Sequence, residues 1–227
     1  MEEAGNVIFS IGPLQVTSAV TTMWAIIFVL ALVSFLATRN LKEVPGPLQS
    51  LAEIAVDKLR NYFGGLLGEK NTRKYFPVFA TLFIFIIVCN YSGLLPGAGH
   101  VKGFALPTAS LSVTAGLAIV AFFTTHVIGI RERGLKHYAL SLAQPLYLSF
   151  LILPLNLIEQ LVRPASLALR LYGNMYGEET VTEQLYEIFP IGVPLIMNVL
   201  SLLFCTLQAM VFTMLLSIYV SEATEEE

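Results

Sequence analysis

The sequence predicts an all-α polytopic membrane protein with about five membrane crossings and one interfacial amphipathic helix. Of its 227 residues, 56% are hydrophobic and 13% are charged, whereas about a quarter of an ordinary soluble domain is charged. Five stretches lack Asp, Glu, Lys and Arg: residues 4–38, 75–101, 103–130, 137–158 and 188–221. Each is long enough for the roughly 20 helical residues that cross a bilayer. Their apolar residues do not alternate with polar ones, which favours helices over the strands of a membrane barrel.

The first half of the chain contains three predicted crossings and one surface helix. Apolar residues recur near helical spacing over 46–68, with charged residues on another face, and this pattern is typical of a helix lying on the inner membrane surface. Glycine and proline after residue 95 separate the second and third crossings. The predicted elements are helix one over 15–38, the interfacial helix over 46–68, helix two over 75–94 and helix three over 108–130.

The second half is predicted to contain three more helices. Helix four covers 138–154, interrupted by Pro145 and closed by Pro154, and helix five covers 155–187. Helices four and five count as one crossing because no polar loop joins them. Pro190 and Pro194 mark a turn to helix six over 194–221, so the last two helices are long and form a hairpin. We interpret residues 1–227 as a single integral membrane domain.

The distribution of basic residues predicts the orientation of the chain in the membrane. Seven of the thirteen Lys and Arg residues lie in 39–74, and three more lie in 131–136. Cytoplasmic loops are enriched in such residues. The N-terminus and the loop near 96–110 are therefore expected outside, and the C-terminal tail inside.

Composition also argues against several partners and cofactors. The net charge of −3 provides no basic stripe for nucleic acid. Cys89 and Cys205 each lie in an apolar run, so we interpret both as small buried hydrophobic residues. The sequence contains no metal-binding spacing of His, Cys or Asp and no phosphate-binding glycine loop. We expect no metal and no cofactor, and no ATP bound by this chain.

The segment 156–187 is too polar for a helix surrounded by lipid. At helical spacing, one face combines Asn156, Glu159, Arg163, Arg170 and Asn174. Helix six repeats the pattern more weakly, with Asn198, Ser201, Cys205 and Gln208 at steps of three, four and three. Two helices with polar stripes, joined by a tight turn, are expected to face each other or a shared aqueous cavity.

Arg170 is the most informative single residue. An arginine at bilayer depth costs roughly 2.5–3.5 kcal/mol on insertion scales, and its side chain stays charged. It therefore needs a carboxylate or nearby water. The structural alternative to a functional role is that Arg170 reaches the interface, or pairs with Glu159 or Glu178 to hold helices together.

Two segments resemble the signatures of subunit a of the F-type ATP synthase. The run Arg163-Pro164-Ala165-Ser166-Leu167-Ala168-Leu169-Arg170-Leu171-Tyr172-Gly173-Asn174-Met175-Tyr176-Gly177-Glu178-Glu179 is similar to the signature of its fifth helix. Thr206-Leu207-Gln208-Ala209 and the following Phe212 are similar to the signature of its last helix. The order of crossings and surface helix matches this family over nearly the whole chain.

The resemblance implies roles for individual residues. Arg170 matches the arginine that faces the rotating ring of subunit c, Asn174 and Gln208 match polar partners near it, and Glu179 matches an acidic group in the ion access path. The family often pairs that acid with a histidine on the last helix, but this chain has Ser201 there. The route of the ion around Glu179, and its identity as H⁺ or Na⁺, are therefore open at this point.

The resemblance also implies partners: the subunit c ring, the peripheral stalk of subunit b, the remaining ATP synthase subunits and the lipid bilayer. The acidic N-terminus, without a plastid or mitochondrial presequence, predicts a location in a bacterial plasma membrane. ATP would be bound by other subunits, so this chain is expected not to be an enzyme by itself.

Other polar residues are candidates for the lining of a half-channel. These are Ser201, Asn198, Glu178, Glu159, Asn90 and His126. The structural alternative for His126 is a satisfied histidine inside its helix, and for Glu178 it is a solvated helix end. Gly173 and Gly177 form a GxxxG step, which in lipid usually indicates close helix contact but would also let a ring approach.

Two other classes of protein fit parts of the sequence. A stand-alone secondary transporter or channel usually shows inverted repeats and broken helices in both halves, whereas the polar residues here lie mostly in one half. An intramembrane enzyme needs a nucleophile and its base, or a zinc motif, at membrane depth. Ser201 has no histidine nearby on its own helix or on the facing stripe.

Overall fold

Within the residues that it describes, the computed structural model of the chain has five long helices and a small N-terminal hairpin. It describes residues 7–11, 14–39, 46–94, 105–135, 138, 149–188 and 193–224. The helices are α1 (Ser18–Thr38), α2 (Pro47–Ser92), α3 (Leu111–Arg133), α4 (Ser149–Ile188) and α5 (Val193–Thr224), with a 3₁₀ turn at Pro107–Ala109 before α3. The all-α polytopic membrane fold predicted from the sequence is confirmed.

Four of the helical segments are long and apolar enough to cross a membrane. Within the described ranges these are Ser18–Thr38, Asn71–Ser92, Leu111–Arg133 and Ile196–Thr224. Helix α4, with 40 residues, is longer than each of these four segments but is not one of them. Length and composition therefore identify four crossings within the described ranges, and the more polar α4 is not among them.

The N-terminus differs from the sequence prediction of a helix from residue 15. Two short strands, Val7–Ile11 and Leu14–Thr17, pair antiparallel, with Phe9 opposite Val16. The β-branched and aromatic residues here favour extended backbone. Helix α1 therefore begins at Ser18, and only four of its residues are buried: Ser18, Ala19, Thr22 and Ile26. The rest of α1 is an apolar surface suited to lipid.

Helix α2 continues across a region where the sequence suggested two separate helices. The predicted elements 46–68 and 75–94 are joined into Pro47–Ser92, and the interval between them is helical. The break falls at Gly68, whose φ of 75° and ψ of 157° leave the helical region. Only glycine adopts that backbone conformation readily, so one residue changes the helix direction without a loop. The location of the first half of α2, residues 47–68, on the membrane surface stays a prediction.

Helix α4 also differs from the two elements predicted around Pro154. The structure has one helix of 40 residues that runs through Pro154 and Pro164. A proline removes one backbone hydrogen bond and kinks a helix, but neighbouring helices can hold the helix together across the kink. Residues 139–148, with Pro145, lie outside the described residues, as do Pro190 and the loop around Pro96.

The buried core lies among α2, α3, α4 and α5. Helix α5 contributes a continuous buried stripe that includes Phe212, Leu216 and Val220, each with no exposed surface. It packs against α2, which contributes Phe79 and Ile86. Helix α4 packs against both α3 and α5. This arrangement places the polar stripe of α4 at the edge of the core.

Candidate functional site

Helices α4 and α5 meet through their polar stripes. The Asn174 Nδ2 donates a hydrogen bond of 2.7 Å to the Gln208 Oε1. Gln208 is buried, and so are Ser201 and Cys205 on the same face of α5. The stripe that the sequence predicted on α5 is therefore its buried face, and Asn174 connects it to the exposed side of α4.

Arg170 lies one helical turn from Asn174, on the exposed surface of α4. It forms no ion pair and no hydrogen bond within the part of the chain that the structure describes. Glu159 pairs with Arg163 at 2.6 Å, and Glu178 forms no ion pair with Arg170. Neither carboxylate considered as a structural partner of Arg170 therefore pairs with it, and the guanidinium is available to a partner outside the described residues.

The two glycines after Arg170 extend the same open surface. A Cβ atom built on Gly173 or on Gly177 would have no neighbouring atom within 4 Å. Close helix contact inside the described part of the chain is therefore not their role. Gly173 and Gly177 therefore leave two positions beside Arg170 without side chains, where the backbone of another helix can approach α4 closely. We call these two positions the strip beside Arg170.

Glu178 and Glu179 are both half-buried on α4. Glu178 lies close to Ser201 and Cys205 of α5, and its Oε2 is buried without a hydrogen-bond partner among the described residues. Glu179 is followed one turn later on the same helix by Glu183.

Asn90 is part of the same group, on α2. Its side chain is 1% exposed, and its Nδ2 donates to the Cys205 carbonyl oxygen at 3.2 Å. The Cys205 thiol in turn donates to the Asn90 carbonyl oxygen at 3.6 Å. Asn90, Ser201, Cys205 and Glu178 therefore lie around one point where α2, α4 and α5 meet; we call these four residues the Glu178 pocket.

Three other candidates lie apart from the Glu178 pocket. His126 is half-buried in α3, where its Nδ1 is 2.8 Å from the Phe122 carbonyl oxygen and its ring packs on that of Phe122. It has the local partner expected of a satisfied histidine. Asn198 is half-buried near the start of α5. Glu159 belongs to an ion-pair group at the other end of the bundle.

That ion-pair group joins four helices at one end of the bundle. Arg163 pairs with Glu222 of α5 as well as with Glu159, and its guanidinium lies 4.8 Å from the ring centroid of Tyr219. The Arg133 guanidinium donates to the Glu222 carbonyl oxygen at 3.1 Å. Between α2 and α3, Glu132 accepts from Lys74 and Tyr75. We call this group of residues the ion-pair end. The sequence placed Arg163 in the polar stripe of α4, but it did not indicate the partner, because Glu222 lies 59 residues further along the chain.

The opposite end of the bundle has buried polar atoms without partners. Among the described residues there are six such atoms. Four of them lie toward this end: Asn90 Oδ1, Thr108 Oγ1, Glu178 Oε2 and Thr182 Oγ1. Gln208 Nε2 lies midway, beside Asn174, and Arg133 Nε lies at the ion-pair end. Buried polar groups normally bind water or an ion when they lack protein partners, and these atoms extend from this end of the bundle toward the level of Arg170.

Within the described ranges, no three His, Cys, Asp or Glu residues lie close enough together to hold a metal ion.

Comparison with known families accounts for this arrangement. The family model described as ATP synthase A chain matches residues 20–221. The chain belongs to the ATP synthase A chain family. The match covers all five long helices, and this favours the predicted resemblance over a stand-alone transporter or an intramembrane enzyme.

Individual relatives agree over almost the whole chain. ATP synthase subunit a 1 of Syntrophotalea carbinolica is 43% identical over 91% of this chain and 86% of its own length. ATP synthase subunit a 3 of Pelobacter propionicus is 42% identical over 92% and 88%. ATP synthase subunit a of Moorella thermoacetica is 40% identical over 94% of each chain.

Proposed function

We propose that this chain is the membrane stator subunit of a rotary F-type ATP synthase. It provides two half-channels that carry protons or sodium ions to and from carboxylates on a rotating ring of subunit c. It binds no nucleotide itself, because ATP is made on other subunits of the complex. Its partners are the c ring, the peripheral stalk of subunit b and the remaining subunits.

The observation that carries this proposal is the free guanidinium of Arg170 on the exposed surface of α4. A fixed positive charge close to a carboxylate favours the ionised form of that carboxylate. A ring carboxylate that arrives beside Arg170 therefore releases its proton or sodium ion. Because no carboxylate of the described chain pairs with Arg170, the guanidinium is free to engage each ring carboxylate in turn.

The same charge separates the two half-channels. A positive group in a narrow polar passage repels cations, so ions cannot pass directly from one half-channel to the other. The ions must instead stay bound to the ring carboxylates for almost a full turn of the ring. Each ion that crosses about 100 mV releases about 2.3 kcal/mol, so several ions are needed for each ATP.

The unsatisfied polar atoms support an outer half-channel inside the bundle. They extend from Thr108 and Asn90 through Thr182 and Glu178 toward Gln208. Among the described residues, the ion-pair end has one such atom, Arg133 Nε. We place the second half-channel where the exposed face of α4 meets the ring, with its opening toward the cytoplasm. This orientation agrees with an outer N-terminus and a cytoplasmic C-terminus in a bacterial plasma membrane.

ATP-driven ion pumping by the whole complex in membrane vesicles tests the proposal. We expect Arg170→Ala to abolish pumping while the complex still assembles, because no ring carboxylate is then forced to release its ion. Comparison of sodium-free and sodium-containing buffer identifies the ion. Arg60→Ala, which changes an exposed arginine of α2, is the matched control and should pump normally. Pumping that survives the loss of Arg170 would refute the proposal.

A further inference from the structure

We infer that Tyr91 of α2 is a positioning residue for the site around Arg170. Its hydroxyl bonds to Thr206 and thereby fixes the rotation of α5 at which Gln208 meets Asn174. The resemblance implies roles for Gln208 and Asn174 but none for Tyr91. The inference rests on the proposed function, since the angle of Gln208 matters for pumping only if Arg170 receives ring carboxylates.

Helix α5 lies between α2 and α4 and contacts both. Residues two positions apart lie about 200° apart around an α-helix, so Thr206 and Gln208 are on nearly opposite sides of α5. Thr206 faces α2, where its Oγ1 is 2.7 Å from the Tyr91 hydroxyl oxygen. Gln208 faces α4, where its Oε1 accepts from the Asn174 Nδ2 at 2.7 Å. A rotation of α5 that breaks one contact therefore also displaces the other.

Apolar packing by itself fixes this rotation poorly. Helices in lipid associate through van der Waals packing and interhelical hydrogen bonds, because the lipid tails are as apolar as leucine. Leucines lie on the exposed side of α5, at Leu203 and Leu207, and on its buried side, at Leu216. A rotation of about 20° moves a side-chain tip that is about 5–6 Å from the helix axis by about 2 Å. That displacement is enough to break a hydrogen bond such as the one between Asn174 and Gln208.

The bond between Tyr91 and Thr206 has a defined direction. The Thr206 hydroxyl donates to the Leu202 carbonyl oxygen at 2.8 Å, and a hydroxyl has one hydrogen to donate. Thr206 is therefore the acceptor, and the Tyr91 hydroxyl is the donor. Because the Thr206 oxygen is itself held on α5, Tyr91 contacts a fixed point of that helix.

Two further hydrogen bonds join α2 to α5, and both end on backbone carbonyl oxygens. The Asn90 Nδ2 donates to that of Cys205 at 3.2 Å, and the Tyr62 hydroxyl donates to that of Met210 at 3.4 Å. Every residue of α5 carries a carbonyl oxygen, so bonds of this kind can form at more than one rotation of the helix. They hold the two helices together without selecting the angle.

Tyr91 instead bonds to a side chain. The residues on either side of Thr206, Cys205 and Leu207, have no hydroxyl. A rotation of α5 by one residue therefore leaves the Tyr91 hydroxyl without this partner, and an unpaired hydroxyl away from water is costly. Of the three bonds between α2 and α5, this one selects the rotation that brings the polar stripe of α5 to α4.

The consequence for Arg170 follows from the position of Asn174. Asn174 lies four residues after Arg170, and side chains at that spacing are neighbours on a helix. In the structure, Gln208 holds the Asn174 amide, and the Arg170 guanidinium forms no hydrogen bond within the described residues. Once α5 turns away, the released amide can turn toward the guanidinium, where it competes with the ring carboxylate.

The test measures pumping by the whole complex in vesicles, with proton uptake followed in sodium-free buffer and sodium uptake in sodium buffer. Tyr91→Phe removes only the donor hydroxyl, and Thr206→Val removes only the acceptor. We expect each to lower the pumping rate about fivefold, the change that corresponds to one net hydrogen bond, and the double variant to pump no more slowly than either alone. Thr206→Ser keeps the hydroxyl and should pump within about twofold of the parent.

Tyr62→Phe is the matched control, because it removes a hydroxyl from the same pair of helices whose bond ends on a backbone carbonyl oxygen. It should pump within about twofold of the parent. A Tyr91→Phe complex that pumps at the parent rate overturns the inference, and so does a Tyr62→Phe complex that loses as much as Tyr91→Phe. Subunit content is measured on every sample. Should Tyr91→Phe not assemble, Thr206→Val and Thr206→Ser decide the question.

A second measurement reports the contact between α4 and α5 without pumping. With the native cysteines replaced by alanine, Asn174→Cys and Gln208→Cys form a pair whose rate of disulfide formation on oxidation depends on how closely the two positions meet. Adding Tyr91→Phe should lower that rate about fivefold, whereas adding Tyr62→Phe should leave it unchanged. A role limited to general stability would lower the amount of assembled complex but not the rate within it. An unchanged rate with Tyr91→Phe counts against the inference.

The outcomes are separable from those of the proposed function. Arg170→Ala in the same vesicles tests whether the chain acts as a stator at all. If Arg170→Ala abolishes pumping and Tyr91→Phe does not slow it, the stator proposal stands and only the role of Tyr91 is wrong. If Arg170→Ala pumps normally, the proposed function fails, and the rate of disulfide formation still shows whether Tyr91 sets the rotation of α5.

Discussion

At the scale of single residues, the exposed face of α4 combines a charge with an absence of side-chain bulk. Arg170 has no partner in the described chain, and Gly173 and Gly177 have open space where a side chain would project. A guanidinium at membrane depth is costly unless a carboxylate or water accompanies it. The glycines let a second helix approach closely enough to supply that carboxylate. The charge of Arg170 and the missing side chains of Gly173 and Gly177 therefore both favour contact with a second helix.

This contact leads to a prediction for Gly173→Leu. We expect the chain to fold, because a Cβ atom at this exposed position has no neighbouring atom within 4 Å among the described residues. We expect pumping to be lost, because the leucine holds the ring away from Arg170. Gly116→Leu is the matched control, since Gly116 also faces open space, but on α3. Pumping assays and subunit content are compared; equal activity of the two variants would show that the strip beside Arg170 contacts no partner.

At the scale of elements, single residues determine where the long helices bend and where they are joined. Gly68 changes the direction of α2 through a backbone conformation that other residues avoid. Arg163 joins α4 to α5 by pairing with Glu222 and by packing over Tyr219. The first residue acts through the backbone, and the second through its side chain. Both determine how the polar stripe of α4 is presented.

The bend predicts a loss of stability in Gly68→Ala. Holding a non-glycine residue in this conformation costs about 1–3 kcal/mol, so the variant should unfold at a lower temperature. Gly65→Ala, three residues earlier in regular helix and also facing open space, should be neutral or stabilising. Unfolding can be followed by a thiol-reactive dye, because Cys89 and Cys205 are buried, in a complex without other cysteines. Equal midpoints for the two variants would contradict the prediction.

The connection between α4 and α5 predicts a modest effect of Arg163→Ala. Glu159 and Glu222 are about half exposed, so the pairs are screened by solvent, and we expect a loss of about 1 kcal/mol. The thermal midpoint of the same dye assay should fall slightly, and it should depend less on salt than in the parent. Arg131→Ala, an exposed arginine at the end of α3, is the control. A midpoint unchanged by Arg163→Ala would mean that the ion pairs contribute nothing to the hairpin.

At the scale of the whole molecule, the two ends of the bundle differ. At one end, the ion pair Lys74–Glu132 joins α2 to α3, and the ion pair Arg163–Glu222 joins α4 to α5. A hydrogen bond from Arg133 to the Glu222 carbonyl oxygen connects the two pairs. Toward the other end, buried polar atoms on the 3₁₀ turn, α2 and α4 have no protein partners. Ion pairs therefore join the helices at one end, whereas unpartnered polar atoms toward the other end can bind water. This asymmetry is what a stator with an internal access path on one side requires.

The asymmetry predicts which introduced cysteines react with a thiol reagent that cannot cross membranes. Thr182→Cys should react from the outer side, because its hydroxyl lies on the series of unsatisfied atoms. Thr213→Cys should stay unreactive: Thr213 has no exposed surface, and its hydroxyl already donates to the Ala209 carbonyl oxygen at 2.9 Å. The reaction is measured on intact vesicles, with Cys89 and Cys205 replaced. Reaction of Thr213→Cys at the rate of Thr182→Cys would argue against a defined path.

The sequence by itself determined the class of the protein and most of its long helices. Charge-free stretches identify membrane crossings because lipid excludes unpaired polar groups over a fixed thickness. The helical period then places Arg170 and Asn174 on one face of α4, and Ser201 and Gln208 on one face of α5, since residues three and four apart share a side. The family resemblance depended on the same local pattern.

Only the tertiary structure decided which polar groups meet. Pro154 lies inside a helix instead of ending one, because packing in the bundle holds α4 together across the kink. Ser201 and Glu178 lie on different helices, and only the packing of α5 against α4 brings them close together. Asn90, 115 residues away from Cys205, completes the same pocket. Such contacts depend on how helices distant in sequence are rotated against one another, and local periodicity does not encode that rotation.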